Sequence, residues 1–365
     1  VGGYGANLLG HKNREIIDTV KDALERNSPS NVQGSVRSST GKLGRKLSDL
    51  LTRETGRERY ICHLSNSGTE AVEAALKLAA LIFFGRRTKF SQRNQQSLNV
   101  LQSLPTDKVK KVNQELMIEL GVREVGDLIE VISEHNRHAF REPFTYLAIE
   151  GSFHGKTLGS LGVTYEDSFK EKFLQGNTCL FVGRNNINDL NEKVNSAKQS
   201  YYHADGATGR VHLQSSSHIA GIIAEPIQGE AGVHELSEEF LSALRLAADE
   251  CGSLLIFDEI QSGLYRTGKL SAATHHKVVA DVYTFSKSLG GGVSKIAATL
   301  IDSAVYSPQF GLLHTSTFSE DEVSSIVALK VLELLSQSID KEFENNSKYF
   351  QSKLSDLRKK YPDVI

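Results

Sequence analysis

Two charged residues stand at or just after the ends of short apolar runs in the last third of the chain. Asp258 ends the run Leu254–Asp258, and Lys287 follows a second run, Val282–Phe285. Runs without polar alternation predict parallel strands that are buried on both faces of an α/β sheet. Because ligands bind just beyond the carboxyl ends of such strands, an acid and an amine are predicted to meet at one ligand site.

This pairing of an amine with a carboxylate matches what pyridoxal 5′-phosphate requires. The cofactor needs a lysine for a Schiff base and an acid that keeps its pyridine nitrogen protonated, so that the ring can accept electrons. Lys287 lies between two serines and before three glycines, in a loop whose backbone can approach a ligand closely. A lysine without this context is usually a solvated surface charge, so the prediction depends on its neighbours.

A candidate phosphate site lies in the run SNSGTEA at 65–71, which joins a predicted strand to a predicted helix. The start of a helix exposes backbone N–H groups, and the helix dipole favours an anion there. Gly68 and Thr69 could therefore hold a phosphate through backbone amides and one hydroxyl. The alternative is that Ser67 or Thr69 only caps the helix.

The run SFHGKT at 152–157 follows another predicted strand. An aromatic side chain at this place can lie flat on a planar cofactor ring, which makes Phe153 a stacking candidate. The alternatives are that Phe153 belongs to the core and that His154 is a hydrogen-bonded histidine without a catalytic role.

Polar side chains follow three other strand or helix ends. Glu225 and Glu230 lie in a Pro- and Gly-containing turn, where glutamates are usually solvated. Gln261 falls on the same side as Asp258 if the backbone turns helical there, and it could then contact the phenolic oxygen of the cofactor. The hydroxyls of the run HTSTF at 314–318 could cap the following helix or reach a phosphate.

The bulk properties are those of a globular protein. The chain has 365 residues and a net charge of −2, which gives no general attraction to nucleic acid or to an anionic membrane. No apolar run has the length of a membrane span, and no signal peptide is evident. Three cysteines, an odd number, argue against a disulfide framework and for a reducing, cytoplasmic location. No metal site is predicted.

Apolar runs that alternate with helical periodicity predict the fold. The predicted strands are Tyr60–Leu64, Phe144–Ile149, Cys179–Val182, Ile219–Ala224, Leu254–Asp258, Val282–Phe285 and Ile296–Ile301. The predicted helices include Arg14–Glu25, Leu43–Leu51, Gly68–Leu81, Glu238–Glu250 and Ser324–Leu335. This alternation predicts an α/β fold with a mainly parallel sheet between layers of helices.

Two segments interrupt the alternation. Residues 86–145 are polar and basic at first and then helical, over Val109–Leu120 and Val125–Ser133, which indicates a helical insertion. The polar segment Tyr201–Ser217 predicts a surface loop.

Taken together and in this order, the motifs resemble those of the class III (omega-amino acid) aminotransferases, which use pyridoxal 5′-phosphate and have fold type I. The resemblance runs from the segment GANLLGH at 5–11 to about Leu335. It makes Lys287 the Schiff-base lysine and Asp258 the partner of the ring nitrogen. It also implies that Phe153 stacks on the ring and that Gln261 contacts the ring hydroxyl, with His154 assigned to the same cofactor site.

The resemblance assigns phosphate and substrate contacts as well. Gly68 and Thr69 correspond to phosphate-holding residues, and Thr317 to a threonine that reaches the phosphate of the neighbouring subunit in a homodimer. Glu230 matches a glutamate that, in ornithine-type members, gates a substrate-binding arginine. Lys156 departs from the pattern, because many members have an arginine there, and a lysine lacks the planar fork that suits a carboxylate.

The resemblance also implies a domain organisation. Residues 1–85 and 146–335 correspond to the cofactor-binding large domain, 86–145 to the insertion, and 336–365 to a helix leading to a small C-terminal domain that is missing. The chain is therefore expected to be a fragment. Its opening VGGYG and its insertion resemble transaminase modules that are fused to reductase domains in pigment and lipopeptide-like pathways, such as the prodigiosin pathway.

The function implied is a biosynthetic transfer of an amino group from an amine or amino acid donor to an aldehyde or keto acceptor. An aminomutase or a decarboxylase on the same scaffold is an alternative, and a non-catalytic regulatory domain is another. The presence of both Lys287 and Asp258 argues against the regulatory domain. A nicotinamide dehydrogenase is disfavoured, because no Gly-x-Gly-x-x-Gly follows a predicted strand.

Overall fold

A seven-stranded sheet forms the centre of the molecule. The computed structural model describes residues 2–26, 37–170, 172–174, 179–338, 344–362 and 364. The strands of the central sheet are β1 (Tyr60–Ser65), β2 (Thr145–Ile149), β3 (Cys179–Val182), β6 (Ile219–Ala224), β9 (Leu254–Asp258), β10 (Val282–Phe285) and β11 (Ala297–Asp302). Their order across the sheet is β1-β11-β10-β9-β6-β2-β3, and β11 alone runs antiparallel to its neighbours. The predicted α/β fold with a mainly parallel sheet is confirmed.

Alternating residues of the central strands face two different cores. Leu255 and Phe257 of β9 pack with helices on one side of the sheet, and Leu254 and Ile256 pack on the other. Since side chains alternate along a strand, a run that is apolar at every position must be covered on both faces. The uninterrupted apolar runs of the sequence therefore correspond to the interior of this sandwich.

Helices cover both faces of the sheet. The helices are α1 (Arg14–Glu25), α2 (Ser38–Thr55), α3 (Gly68–Ser103), α4 (Thr106–Val112), α5 (Gln114–Glu119), α6 (Val125–Ala139), α7 (Leu158–Gly162), α8 (Asp167–Lys170), α9 (Ile187–Ser196), α10 (Glu238–Cys251), α11 (Pro308–Leu313), α12 (Glu322–Ser338) and α13 (Glu344–Lys360). Helices α2, α10 and α12 contribute to the core on one face, and the first part of α3 packs on the other. In the described part of the chain, no helix is long and apolar enough to cross a membrane.

The segment that was predicted to be a surface loop is a β-hairpin, so this prediction is wrong. Its strands, β4 (Lys198–Ala204) and β5 (Val211–Ser217), pair antiparallel over seven residue pairs. Tyr202 of β4 and Val211 of β5 are buried against the helices of the 86–145 segment, in a third hydrophobic cluster. The polar residues that suggested a loop lie on the exposed face of β5.

The helical segment also differs in detail from its prediction. Helix α3 continues without a break to Ser103 instead of ending near Leu81, and the predicted helix Val109–Leu120 is divided at Asn113 into α4 and α5. The buried side-chain amide of Asn113 donates to the carbonyls of Val109 and Gly209, and its oxygen accepts from the amide of Val211. At the break between α4 and α5, the hydrogen bonds of Asn113 therefore attach the 86–145 segment to the β4–β5 hairpin. Two short strands, β7 (Ile227–Gln228) and β8 (His234–Glu235), complete the fold.

Candidate active site

Asp258 and Lys287 lie on the wall of one cavity. Its volume is about 340 Å³, and its lining residues are Gly68, Thr69, Phe153, His154, Gly155, Lys156, Glu225, Glu230, Asp258, Ile260, Gln261, Ser286 and Lys287. Asp258 is the last residue of β9, and Lys287 lies two residues beyond the end of β10. Because β9 and β10 are parallel neighbours, the two side chains emerge at the same edge of the sheet.

The carboxylate of Asp258 is buried and held by three hydrogen bonds. Its Oδ2 lies 2.8 Å from Nδ1 of His154, and its Oδ1 accepts from the amide of Ile260 at 3.1 Å and from the hydroxyl of Thr284 at 3.3 Å. Only 3% of Asp258 is exposed. Donors on both oxygens fix the orientation of this carboxylate within the cavity wall.

His154 is a buried histidine that orients another side chain. Its ring contacts Asp258 through Nδ1, and its backbone amide donates to the hydroxyl of Thr164 at 2.9 Å. Its Nε2 is buried and has no hydrogen-bond partner in the described part of the chain. The structure thus supports the hydrogen-bonding role that the sequence left open.

Lys287 begins the 3-10 turn Lys287–Gly290 and has a left-handed backbone, with φ of 41°. This conformation is uncommon for a residue other than glycine. Burial lowers the pKa of its amine, and the negative charges of Asp258, Glu230 and Glu225 oppose that effect. Lys287 is half-buried, so its amine faces a site that is only partly shielded from water.

Glu225 is a buried member of the site that sequence reasoning treated as solvated. Its carboxyl group accepts from the amides of Phe153 at 2.9 Å and Gly229 at 3.4 Å, and the residue is 5% exposed. Burial raises the pKa of Glu225 to about 7. The signal in the sequence was its position directly after β6, which matches the position of Asp258 at the end of β9. Glu230, five residues later, is exposed at the cavity.

The start of α3 lies at the cavity with Thr69 turned toward a neighbouring loop. The hydroxyl of Thr69 bonds to those of Ser160 at 2.6 Å and Thr157 at 2.9 Å. The amides of residues 66 and 67 donate to the carboxylate of Glu70 at 2.6 and 3.1 Å, so a glutamate takes part in capping α3. Gly155 allows the close approach of Thr69, since a Cβ there would lie 2.2 Å from the Thr69 hydroxyl.

Gln261 lines the cavity, although the backbone after Asp258 forms turns and not the helix on which its placement was argued. Its side chain lies against Gly229, where a Cβ would come within 1.1 Å of Oε1. Its amide nitrogen approaches the carbonyl of Tyr4 at 3.5 Å. The first turn of the chain, Gly3–Gly5, therefore lies beside the site, which the sequence analysis did not foresee.

Arg266 connects three segments at this place, and it too was missed. Its guanidinium donates to the carbonyl of Gln261 at 2.6 Å, to the hydroxyl of Ser288 at 3.1 Å and to the carbonyl of Gly5. These bonds fasten the opening turn of the chain to the loop that carries Lys287.

Two predicted site residues lie at the periphery. Lys156 lines the cavity and is exposed. Thr317 is exposed and is absent from the cavity lining. The structure thus brings together Gly68, Thr69, Phe153, His154, Lys156, Glu230, Asp258, Gln261 and Lys287, but not Thr317.

Comparison with known proteins identifies the family. The family model for class III aminotransferases matches residues 1–365. This chain belongs to the class III aminotransferases. It is 31% identical over 373 aligned residues to a putrescine aminotransferase of Pectobacterium atrosepticum, with 100% of this chain and 63% of the relative covered. The chain thus spans less than two thirds of that relative's length.

Solved structures of transaminases share the fold. An aminotransferase of Bacillus anthracis has a TM-score of 0.67 at 18% sequence identity. The match covers 100% of this chain and 69% of the Bacillus chain. The ornithine aminotransferase of Toxoplasma gondii has a TM-score of 0.63 at 21% sequence identity. The match covers 92% of this chain and 62% of the Toxoplasma chain. At these identities the likeness extends to the fold only.

The residues of the cavity fit pyridoxal 5′-phosphate, the cofactor of class III aminotransferases. A half-buried lysine amine and an oriented, buried carboxylate are the two groups that the cofactor needs from a protein. The N-terminal end of α3, with Gly68 and Thr69 at the cavity, offers an anion site for its phosphate. Phe153 supplies an aromatic ring on the same wall.

Proposed function

We propose that this class III aminotransferase transfers an amino group from a primary amine donor to a carbonyl acceptor. The observation that carries the proposal is the meeting of Lys287 and Asp258 in one cavity, at the carboxyl ends of β9 and β10. When bound, pyridoxal 5′-phosphate supplies an electrophilic carbon and a ring that withdraws electrons from the substrate carbon.

Lys287 acts both as the covalent anchor of the cofactor and as the base. Burial lowers the pKa of its amine, which increases the fraction that is neutral and able to attack or to accept a proton. Lys287 lines the cavity, where its amine would hold the cofactor and would also move a proton at the reacting carbon atoms.

Asp258 would stabilise the protonated pyridine nitrogen of the bound cofactor. Its two oxygens are oriented by His154, Thr284 and the amide of Ile260, so the carboxylate is directed before the reaction begins. A fixed negative charge in a buried site stabilises a neighbouring cation more strongly than one in water. Phe153 is the residue proposed to stack on the ring, and Gln261 the one proposed to contact its hydroxyl.

The charges at the cavity favour a donor without an α-carboxylate. No arginine lies among the described residues that line it, and its cations are Lys156 and Lys287. Glu230 is exposed at the same cavity and could pair with a second ammonium group of a diamine. The similarity to a putrescine aminotransferase agrees with this donor class.

Cofactor attachment to Lys287 provides the direct test. In the wild type, borohydride reduction followed by mass spectrometry should locate a cofactor adduct on Lys287. Lys287→Ala should lose the adduct and at least about 10³-fold in kcat, since the anchor and the base are both removed. Lys295→Ala, which removes an exposed lysine of the same loop, should change neither quantity. A reducible adduct that persists in Lys287→Ala would disprove the assignment.

Assembly, location and domain organisation belong to the same proposal. A homodimer is supported by the exposed position of Thr317 beside exposed apolar side chains of Leu312, Leu313 and Phe318. A cytoplasmic location is supported by the three free cysteines. A biosynthetic role is part of the same proposal. The proposed large domain comprises 1–85 and 146–335, with 86–145 inserted and 336–365 following; residues 339–343, 363 and 365 lie outside the described residues.

A further inference from the structure

A second cavity lies at the opposite edge of the sheet from the candidate active site. Its volume is about 330 Å³, and it is lined by Phe83, Arg86, Arg87, Phe90, Phe140, Ser215, Ser216, Ser217, His218, Asp249, Glu250, Cys251 and Gly252. His218 precedes β6, and Gly252 lies two residues before β9. The cavity is therefore at the amino ends of the strands whose carboxyl ends carry Glu225 and Asp258. We call it the amino-edge cavity.

Two arginines bring guanidinium donors to the amino-edge cavity. Arg86 donates to the carbonyls of Cys251 and Gly252, and Arg87 to the carbonyl of Glu142. Burial lowers the pKa of both guanidinium groups, and the negative charge of Glu142 opposes this effect at Arg87. In the described part of the chain neither has a carboxylate within ion-pair distance.

The two acids that line the cavity form ion pairs with other basic residues and not with these arginines. Asp249 pairs with Arg245 at 2.7 Å, and Glu250 pairs with Lys198 at 2.7 Å. Carbonyl oxygens satisfy part of the hydrogen-bonding capacity of a guanidinium but carry no net charge. An anion at this place would therefore meet guanidinium N–H groups with which no carboxylate of the described residues forms an ion pair.

The remaining walls combine aromatic rings with polar groups. Phe83 lies beneath both guanidinium groups, with its ring centroid 5.4 Å from Cζ of Arg86 and 5.9 Å from Cζ of Arg87. Phe90 and Phe140 pack edge to face at 5.5 Å. His218 is 7% exposed, and its Nδ1 is buried without a hydrogen-bond partner in the described residues.

We infer that the amino-edge cavity binds a small molecule with a flat apolar body and one carboxylate. The aromatic walls bury the body, and Arg86 and Arg87 pair with the charge, for which planar guanidinium groups are suited. Its walls come from α3, the residue that follows α6, strand β5 and the end of α10, so a ligand there joins the 86–145 segment to the central sheet. This inference does not depend on the catalytic proposal.

Calorimetric titration of the purified full-length protein with 2-naphthoate, 2-naphthamide and inorganic phosphate tests the inference. The acid should bind at one site per chain, and the neutral amide should bind at least about tenfold more weakly, as expected for loss of a charged hydrogen bond. Phosphate, which lacks an apolar body, should bind more weakly than naphthoate.

Three variants locate the site. Arg87→Gln should weaken naphthoate about tenfold and bring it to the affinity of the amide. Ser216→Phe should abolish binding by filling the cavity, whereas Arg93→Gln, at an exposed position further along α3, should leave it unchanged. Equal affinity for acid and amide, an equal loss in Arg93→Gln, or unchanged binding in Ser216→Phe would each overturn the inference, as would the absence of naphthoate binding at millimolar concentration.

Discussion

At the scale of single residues, the carboxyl group of Glu225 shows how burial sets a charge in the site. Its pKa of about 7 lies above the ordinary value of 4.5, because desolvation outweighs the effect of nearby His154. A carboxyl whose pKa is raised on folding binds more protons in the folded state. Its contribution to stability is therefore fully present below pH 4.5 and is lost as the pH rises through about 7.

Glu225→Gln should remove this pH dependence. The free energy of unfolding of the wild type, relative to the variant, should fall by up to about 3 kcal/mol as the pH crosses that window. Urea unfolding of both proteins at pH values near 4.5 and near 7 measures this difference in free energy. Glu230→Gln is the control, since Glu230 lies in the same turn but is exposed. If the Glu225→Gln variant keeps the wild-type dependence of unfolding free energy on pH, as the Glu230→Gln control should, the dependence does not come from Glu225.

Lys156 carries the prediction about donor choice. A lysine retains the charge of an arginine but not its two-pronged fork. Lys156→Arg should therefore raise kcat/KM for N-acetylornithine about tenfold relative to putrescine, the worth of roughly one charged hydrogen bond. Steady-state kinetics with both donors and an alkyl aldehyde acceptor measures the ratio. Efficient use of N-acetylornithine by the wild type, unchanged in the variant, would show that another residue holds the carboxylate.

At the scale of elements, the strands of the central sheet were predictable, whereas the β4–β5 hairpin and the break between α4 and α5 were not. The runs Leu254–Asp258 and Val282–Phe285 match β9 and β10, because a strand buried on both faces leaves an unbroken apolar signal. The hairpin β4–β5 left no such signal, since its buried side chains face helices that are distant in sequence. Asn113 is a further example, because its break of the helix depends on contacts with Gly209 and Val211.

The third hydrophobic cluster leads to a prediction about local stability. Leu128 of α6 is fully buried in it, away from the two cores that flank the sheet. Leu128→Ala should lower the opening free energy of α4–α6 and of β4–β5 by about 2–5 kcal/mol, the usual cost of such a cavity. Amide hydrogen exchange measures the change by segment.

Protection in β9 and β10 should stay at its wild-type level, because their side chains belong to other clusters. Ile118→Ala is the matched control, since Ile118 is 73% exposed in the same segment. Faster exchange throughout the sheet in Leu128→Ala would show instead that α4–α6, the hairpin and the central sheet unfold together.

At the scale of the whole molecule, the fold and the site followed from one rule about parallel sheets. Glu225, Asp258 and Lys287 each lie at or within two residues of the carboxyl end of a strand, and adjacent strands bring them to one cavity. Arg266 and the turn Gly3–Gly5 could not be predicted in this way, because they reach the site through contacts that span most of the sequence.

Thr317 leads to a prediction about assembly. It is exposed and does not line the cavity of its own chain, and nearby His314 bonds to Lys77 and stacks on Phe310, which holds this segment against α3 and α11. If Thr317 serves the cofactor phosphate of a second copy, each site combines Lys287 of one subunit with Thr317 of the other. Lys287→Ala and Thr317→Ala homodimers should then both be impaired.

Refolding the two variants together should restore activity. Each mixed dimer contains one site with both residues intact and one that lacks both, so a random mixture should regain about a quarter of the wild-type sites. A mixture of Lys287→Ala with Thr315→Ala, an exposed threonine two residues away, controls for effects of refolding on this segment. Light scattering should give the mass of a dimer for every sample. A fully active monomer, or a Thr317→Ala protein with wild-type cofactor affinity, would contradict a site shared between two subunits.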